Sequence, residues 1–143
     1  MNAKQLSVFI ENRQGRLGEV LDVLKKNDIN IISLSLADTT EYGLLRLIVS
    51  DPVKGREALS QDGFSTMLTD VLVIKIEHKA GSLRGLLKIL GEKQINIEYM
   101  YGLSIDGERA YVVLKPSDLR AAGDILETAG VKTVSAEEIA KLN

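Results

Sequence analysis

The sequence contains no cysteine, so neither a disulfide framework nor a thiolate zinc site can form. Histidine occurs once, as His78, and one imidazole cannot build a His-rich metal site. No stretch approaches the roughly 20 apolar residues that a membrane-crossing helix needs. The opening residues Met1 to Gln5 hold no apolar segment of signal-peptide length and run straight into strand-like alternation. The expected location is therefore cytoplasmic. An excess of positive charge is missing as well. The net charge is −2, and without clustered Lys and Arg a nucleic-acid partner has no electrostatic basis. Nor does the chain hold a Ser-His-Asp arrangement, a phosphate-cradling glycine loop or a metal-ligand spacing. Carboxylates such as Glu11, Glu77 and Glu98 stand at or near strand ends, where acidic side chains are usually solvated, and no nucleophile accompanies them. The expected protein is not an enzyme, and no cofactor is implied.

What is present suits a packed globular protein. Hydrophobic residues make up 45% and charged residues 27% of the 143, near the average for soluble domains. The dominant signal is an internal repeat. Displaced by 66 residues, Val8–Ile31 falls on Ile74–Ile97, and nine of these 24 pairs are identical. They include Gly15/Gly81, Leu24/Leu90, Ile29/Ile95, Asn30/Asn96 and Ile31/Ile97. Chance would give roughly one or two at ordinary composition. The chain is a duplication, with expected domains at 1–69 and 70–143.

Each copy shows the same succession of patterns. In the first, Leu6, Val8 and Ile10 alternate as a half-buried strand, and Leu17, Val20, Leu21 and Leu24 recur at helical spacing after Gly15. Ile29 to Leu36 returns to strand character, and a polar turn at Asp38-Thr39-Thr40-Glu41 leads to a hairpin partner carrying Leu45, Leu47 and Val49. Asp51-Pro52 predicts a capped helix start, Gly63 its end, and Phe64 to Leu68 a weak last strand. In the second, Leu72, Ile74 and Ile76 alternate, and Leu83, Leu86, Leu87 and Leu90 follow Gly81 at helical spacing. Ile95 to Ile105 is a long strand, Asp106-Gly107 a two-residue hairpin turn and Tyr111 to Leu114 its return. Pro116-Ser117-Asp118 opens a helix with Leu119, Ala122, Leu126 and Ala129, which Gly130 stops before a closing strand, Val131 to Val134. Ser135 and Glu138 have the spacing of a capping box for a short last helix.

The predicted class is α+β: two ferredoxin-like βαββαβ units in tandem, each an antiparallel sheet with its helices on one face. Units of about 70 residues lie near the lower limit for independent stability, and the link at Thr69-Asp70 is short. Both points favour two units held as one body.

The most informative segment joins the first strand to the first helix of each copy. It reads Glu11-Asn12-Arg13-Gln14-Gly15-Arg16-Leu17 in copy one and Glu77-His78-Lys79-Ala80-Gly81-Ser82-Leu83 in copy two. A glycine there permits a sharp turn and close approach by another group. The helix that follows offers unpaired N–H groups and its positive dipole end to a carboxylate. An ordinary tight strand-to-helix turn would look the same.

The whole pattern resembles the ACT domain, a small-molecule-sensing module attached to many enzymes of amino-acid metabolism. The most specific stretches are Glu11-Asn12-Arg13-Gln14-Gly15 and Ile29-Asn30-Ile31, similar to the serine-sensing domain of phosphoglycerate dehydrogenase, whose loop reads Asn-Arg-Pro-Gly. The resemblance implies an effector at the seam between neighbouring modules, touched by the loop of one and by the second-strand asparagine of the other. Asn12, Gly15 and Asn30 match in copy one, and Gly81 and Asn96 in copy two, where His78 replaces the loop asparagine. The loop proline of the family is Gln14 and Ala80 here, and Ile10 stands where the serine-sensing domain has histidine, so serine does not carry over as the effector. On this basis the candidate ligand-binding residues are Asn12, Arg13, Gln14, Gly15, Arg16, Leu17, Asn30, His78, Lys79, Ala80, Gly81, Ser82, Leu83 and Asn96. Helix amides near Gly15 or Gly81 suit an α-carboxylate, and the asparagine amide oxygens an α-ammonium. His78 either accepts from the ammonium when neutral or is a solvated loop residue.

Tyr99 and Tyr101 share a strand face, as base-stacking aromatics do in RNA-binding modules of this fold, but no basic signature accompanies them, and packing is the expected role. Apolar residues fall on both faces of the second strands, Ile32, Leu34 and Leu36 in one copy against Tyr99, Tyr101 and Leu103 in the other. From this a homodimer is expected. The functional expectation is a free-standing, non-catalytic regulatory protein that binds a free amino acid and signals to a partner enzyme or regulator. Its rivals are a pure interaction subunit without a ligand, and a subunit that completes the active site of another protein.

Overall fold

The structure, a computed structural model, describes residues 2–11, 14–38, 42–77, 79–106 and 109–141. They form two compact units, one built on Lys4–Thr69 and the other on Asp70–Ile139. The first contains β1 (Ala3–Glu11), α1 (Arg16–Lys26), β2 (Ile31–Asp38), β3 (Tyr42–Val49), α2 (Pro52–Gln61) and the opening of β4 (Ser65–Glu77). The second contains the rest of β4, then α3 (Ser82–Glu92), β5 (Ile97–Asp106), β6 (Arg109–Pro116), α4 (Leu119–Thr128) and β7 (Lys132–Thr133), after which comes α5 (Ala136–Ala140). Strands follow the order β2-β3-β1-β4 in the first unit and β5-β6-β4 in the second, where β7 also pairs with β4. Pairing is antiparallel between β1 and β3, β2 and β3, β4 and β6, β4 and β7, and β5 and β6. This is the βαββαβ plan, twice.

Alternation in the strands explains where each core lies. Leu6 and Val8 stand opposite Leu47 and Leu45 in the β1–β3 register, and residues directly opposite in an antiparallel pair point to one face. Helices α1 and α2 close that face with Val20, Leu24 and Leu59, all fully buried. The second unit repeats the arrangement with Leu72, Ile74, Leu86, Leu90, Leu114 and Leu126. Each buried leucine is worth about 1.5–3 kcal/mol of apolar transfer, so the 3.6-residue spacing in both copies fixes which helix face docks.

Helix boundaries follow their local chemistry. Asp51 accepts a hydrogen bond from the Lys54 N–H at 3.1 Å, and Asp118 from the Ala121 N–H at 3.0 Å. Each thereby satisfies one of the orphan donors at a helix start. Gly63 and Gly130 follow α2 and α4 with φ of 88° and 79°, the left-handed conformation that ends a helix. The Glu138 N–H donates to Ser135 Oγ at 3.2 Å while Glu138 Oε1 accepts from the Ser135 N–H at 3.5 Å, closing a capping box.

Three details differ from the sequence expectation. The weak strand at Phe64 to Leu68 and the strand at Leu72 are one element, β4, unbroken through Thr69 and Asp70. No glycine, proline or asparagine interrupts 65–77, so nothing there turns the chain. Strands β2 and β5 begin at Ile31 and Ile97, two residues later than their apolar runs, because Ile29 and Ile95 instead bond back to the Leu24 and Leu90 carbonyls at the helix ends. A bulge then lies between Ile31 and Ser33, and another between Ile97 and Tyr99. The bulge leaves Ile32 out of the alternation and puts Leu34 and Leu36 in the rows of Leu47 and Leu45. Both nevertheless remain 48% exposed, since β2 ends the strand order. The proposed turn residues Thr39, Thr40, Glu41 and Gly107 lie outside the described residues.

The faces away from the helices are closed at several points. Ile48, Val71, Val73 and Val113 are buried there, as are Gln5 and Ser7, the Gln5 amide donating to Ser7 Oγ at 3.2 Å. No helix of the described residues is long and apolar enough to cross a membrane.

Candidate functional site

The two glycine turns have the same geometry. Gly15 stands at φ 89°, ψ −15° before α1, and Gly81 at φ 88°, ψ −15° before α3. Each accepts from the amide four residues on, Glu19 at 3.0 Å and Gly85 at 2.9 Å, so the helix begins immediately after the turn. Neither helix has a side-chain cap, unlike α2 and α4, where an aspartate fills that role. A Cβ built on Gly15 or Gly81 would meet nothing within 4 Å. Positive φ, and not close approach by another part of the chain, is what requires glycine at these positions. In copy two the Ser82 N–H already donates to the Lys79 carbonyl at 3.3 Å.

Around these turns Gln14, Leu17, Lys79, Ala80 and Leu83 are exposed, while Arg16 and Ser82 are half-buried. Lys79 Nζ pairs with Glu77 Oε2 at 2.8 Å. The hydrogen bond to Glu77, reinforced by its negative charge, raises the Lys79 pKa above the ordinary lysine value. Asn12, Arg13 and His78 lie outside the described residues.

Asn30 and Asn96 occupy a different place. Each follows the C-terminal end of the helix that the glycine turn opens, and α1 and α3 each have 11 residues, about 16 Å at 1.5 Å per residue. Within a unit, therefore, the loop and the asparagine are held apart at opposite helix ends. Both asparagines take part in the same backbone clamp. The Asn30 N–H donates to Ser50 Oγ at 2.9 Å and the Ser50 N–H returns to the Asn30 carbonyl at 2.9 Å. Asn96 and Ser117 repeat it at 3.2 and 2.8 Å. The clamp ties the start of the second strand to the end of the third, a structural duty that the Asn-Ile motif alone does not reveal. A Ser-Asp pair before the second helix of each copy was the available signal.

Two cavities flank α1. One of about 350 Å³ lies beside Asn30, between Leu21, Lys25 and Ile31. The other, about 370 Å³, adjoins the Gly15 turn and is walled by Phe9, Ile10, Glu11, Arg16, Tyr42 and Phe64 with Gly63 and Ser65. Of these only Arg16 was a sequence candidate. The Arg16 guanidinium lies 4.1 Å from the centre of the Phe64 ring, and its Nη1 is paired with Glu19. Its Nε is buried and has no hydrogen-bond partner among the described residues. A larger space of about 510 Å³ between α1 and α2 is lined mostly by charged and amide side chains, including Glu19, Asp22, Lys26 and Asp62, with Val23 and Ala58 as its apolar residues.

A duplicated ferredoxin-like sheet with a glycine turn before the first helix of each copy defines a tandem ACT-type protein. The chain belongs to the ACT domain pair family, whose model matches residues 1–143. It is similar to a crystallographically solved protein from Bacteroides thetaiotaomicron, at 39% identity and a TM-score of 0.95, over 99% of this chain and 98% of that one. The regulatory subunit of aspartate kinase from Thermus thermophilus shares the fold, with 15% identity and a TM-score of 0.65 over 90% and 92% of the two chains. The regulatory subunit from Thermus flavus does so with 16% identity and a TM-score of 0.62 over 91% and 94%. No curated protein matches the chain.

Proposed function

We propose that this chain is a non-catalytic regulatory protein that binds a free amino acid at its glycine turns and passes the bound state to a separate enzyme or regulator. The observation that carries this reading is the contrast among helix starts. Aspartates cap α2 and α4, whereas α1 and α3 begin on glycines of matching φ and ψ and have no side-chain cap. Their first-turn amides and dipoles favour an anionic group, and an α-carboxylate has the matching charge. That the Thermus proteins of the same fold are regulatory subunits accords with a regulatory role. The pool such a sensor would read is the cytoplasmic one. The likeness to the serine-sensing domain extends to the loop glycine and the strand asparagine and does not name the effector.

The proposed mechanism is linkage. An amino acid on the turn that also touches a second module favours the arrangement of modules it fits best, and thereby shifts the population toward it. Isothermal titration with the twenty amino acids tests this: at least one binds in the micromolar to low millimolar range, and Asn12→Ala or His78→Ala weakens it. Silence across the panel with folded protein rejects the reading.

A second reading, an interaction subunit without a ligand, is favoured by Leu34 and Leu36, half-exposed on the end strand β2. Such a strand offers a sheet edge and apolar surface. We place the expected homodimer at this edge. Sedimentation showing only monomer at micromolar concentration removes it.

A further inference from the structure

The cavity beside the Gly15 turn has no chemical equivalent in the second copy. Both phenylalanines of the chain, and one of its four tyrosines, line it. Phe64 is buried and forms the floor, whereas Phe9 and Tyr42 are 42% and 53% exposed. Two large aromatic side chains are thus left open around one hollow. At the 66-residue offset Phe9 becomes Lys75, Arg16 becomes Ser82 and Glu19 becomes Gly85. Phe64 becomes Val131, as the equivalent turn bonds show: the Phe64 N–H to the Leu59 carbonyl at 3.0 Å and the Val131 N–H to the Leu126 carbonyl at 2.9 Å. The guanidinium, its carboxylate partner and the aromatic floor are all features of copy one alone.

Arg16 gives the cavity its polarity. Its side chain is only 16% exposed and is stacked on Phe64, with Glu19 on Nη1. The Nε–Nη2 edge is the one not engaged by Glu19, and the buried Nε has no acceptor among the described residues. A shielded guanidinium N–H without an acceptor is costly, and a planar two-oxygen anion is its natural partner. Glu11 also lines the hollow and stands opposite Tyr42 in the β1–β3 pair. Glu11 already has a partner, but a carboxylate can accept several donors. A cation, an acid and aromatic walls within about 370 Å³ match a small zwitterion with an apolar body.

We infer that the effector is an α-amino acid with an aromatic or branched apolar side chain, received in the copy-one cavity, its carboxylate on Arg16, its ammonium toward Glu11 and its side chain against Phe9, Tyr42 and Phe64. This rests on the reading of the chain as an amino-acid sensor. It adds to the Gly15 turn a side-chain pocket, and selectivity by apolar contact.

The test is isothermal titration of the full chain with L-phenylalanine, L-leucine, L-serine and glycine. Two variants, Arg16→Ser and Phe9→Lys, install the copy-two residues at partly exposed positions, and Lys88→Ala, at an exposed position on α3, serves as the copy-two control. Circular dichroism checks that each is folded. The expected result is binding of L-phenylalanine or L-leucine at least tenfold tighter than of serine or glycine. That affinity falls at least tenfold in both cavity variants and is unchanged in Lys88→Ala. Tight binding that ignores Arg16→Ser and Phe9→Lys, or a preference for serine or glycine, overturns the cavity assignment and leaves the sensor reading standing. Absence of binding by any of the twenty amino acids overturns the sensor reading itself.

Discussion

Replacing Gly15 by alanine isolates the demand that the turn makes on the backbone. A methyl group there meets no atom within 4 Å, so packing contributes nothing to the cost. What remains is the φ of 89°. An L-residue held at positive φ loses about 1–2 kcal/mol, and the narrower unfolded ensemble of alanine returns about 0.4–1 kcal/mol. The net destabilisation is about 1 kcal/mol, or about 3 °C in Tm for a chain of this length. Gly81→Ala should match it, because Gly81 has the same φ and the same open surroundings. Asparagine, which visits the left-handed region more readily, should cost clearly less than alanine at both sites. Urea denaturation of the four single variants measures the differences. Losses above about 3 kcal/mol, or asparagine as costly as alanine, would refute the claim that φ alone requires glycine and would point to an atom packed against the turn.

The remaining predictions concern caps, core, charge and edge. Asp51→Ala and Asp118→Ala each remove a helix cap seen at about 3 Å and should each cost about 1 kcal/mol in urea unfolding. Leu24→Ala and Leu90→Ala empty equivalent, fully buried positions and should each cost about 3 kcal/mol, the two values agreeing if the cores pack alike. Glu77→Gln should return the raised Lys79 pKa toward the ordinary lysine value, read by NMR titration of the Lys79 side chain. Because that pKa is raised in the folded state, the Glu77–Lys79 contribution to stability is present below the unfolded pKa of 10.5 and fades as pH rises through the folded value. Leu34→Lys should leave monomer stability nearly unchanged while abolishing any concentration-dependent self-association in sedimentation, since Leu34 is half-exposed.

Much of the fold could be read from residues, and the reasons are local. Leu6, Val8 and Ile10 alternate because one face of β1 is buried, and Leu24 and Leu90 fall in register because the copies bury the same helical stripe. Asp51, Asp118, Gly63 and Gly130 mark boundaries through hydrogen bonds and φ values that depend on a few neighbouring residues. Features set by backbone hydrogen bonds at element ends were harder to see. Nothing in Ile29-Asn30-Ile31 shows that Ile29 bonds back to the Leu24 carbonyl, which delays β2 and introduces its bulge.

The candidate site was legible in its frame and hidden in its walls. Gly15 and Gly81 announce themselves by identity across the repeat, and the turns they form are alike. Phe9, Tyr42 and Phe64 come from three separated segments that meet only after folding. Their signal lay in disagreement between the copies, with Phe9 against Lys75 and Arg16 against Ser82 among the non-conservative pairs. Identity marks what both halves need in order to fold, and divergence marks where only one of them has a further use.

Strand β2, with its sequence Ile31-Ile32-Ser33-Leu34-Ser35-Leu36-Ala37, carries no charge before Asp38 and no proline anywhere. Gatekeeper residues of that kind are what ordinarily keep a bare sheet margin from recruiting foreign strands. Strand addition at such a margin is what a charge or a proline within 31–37 would oppose.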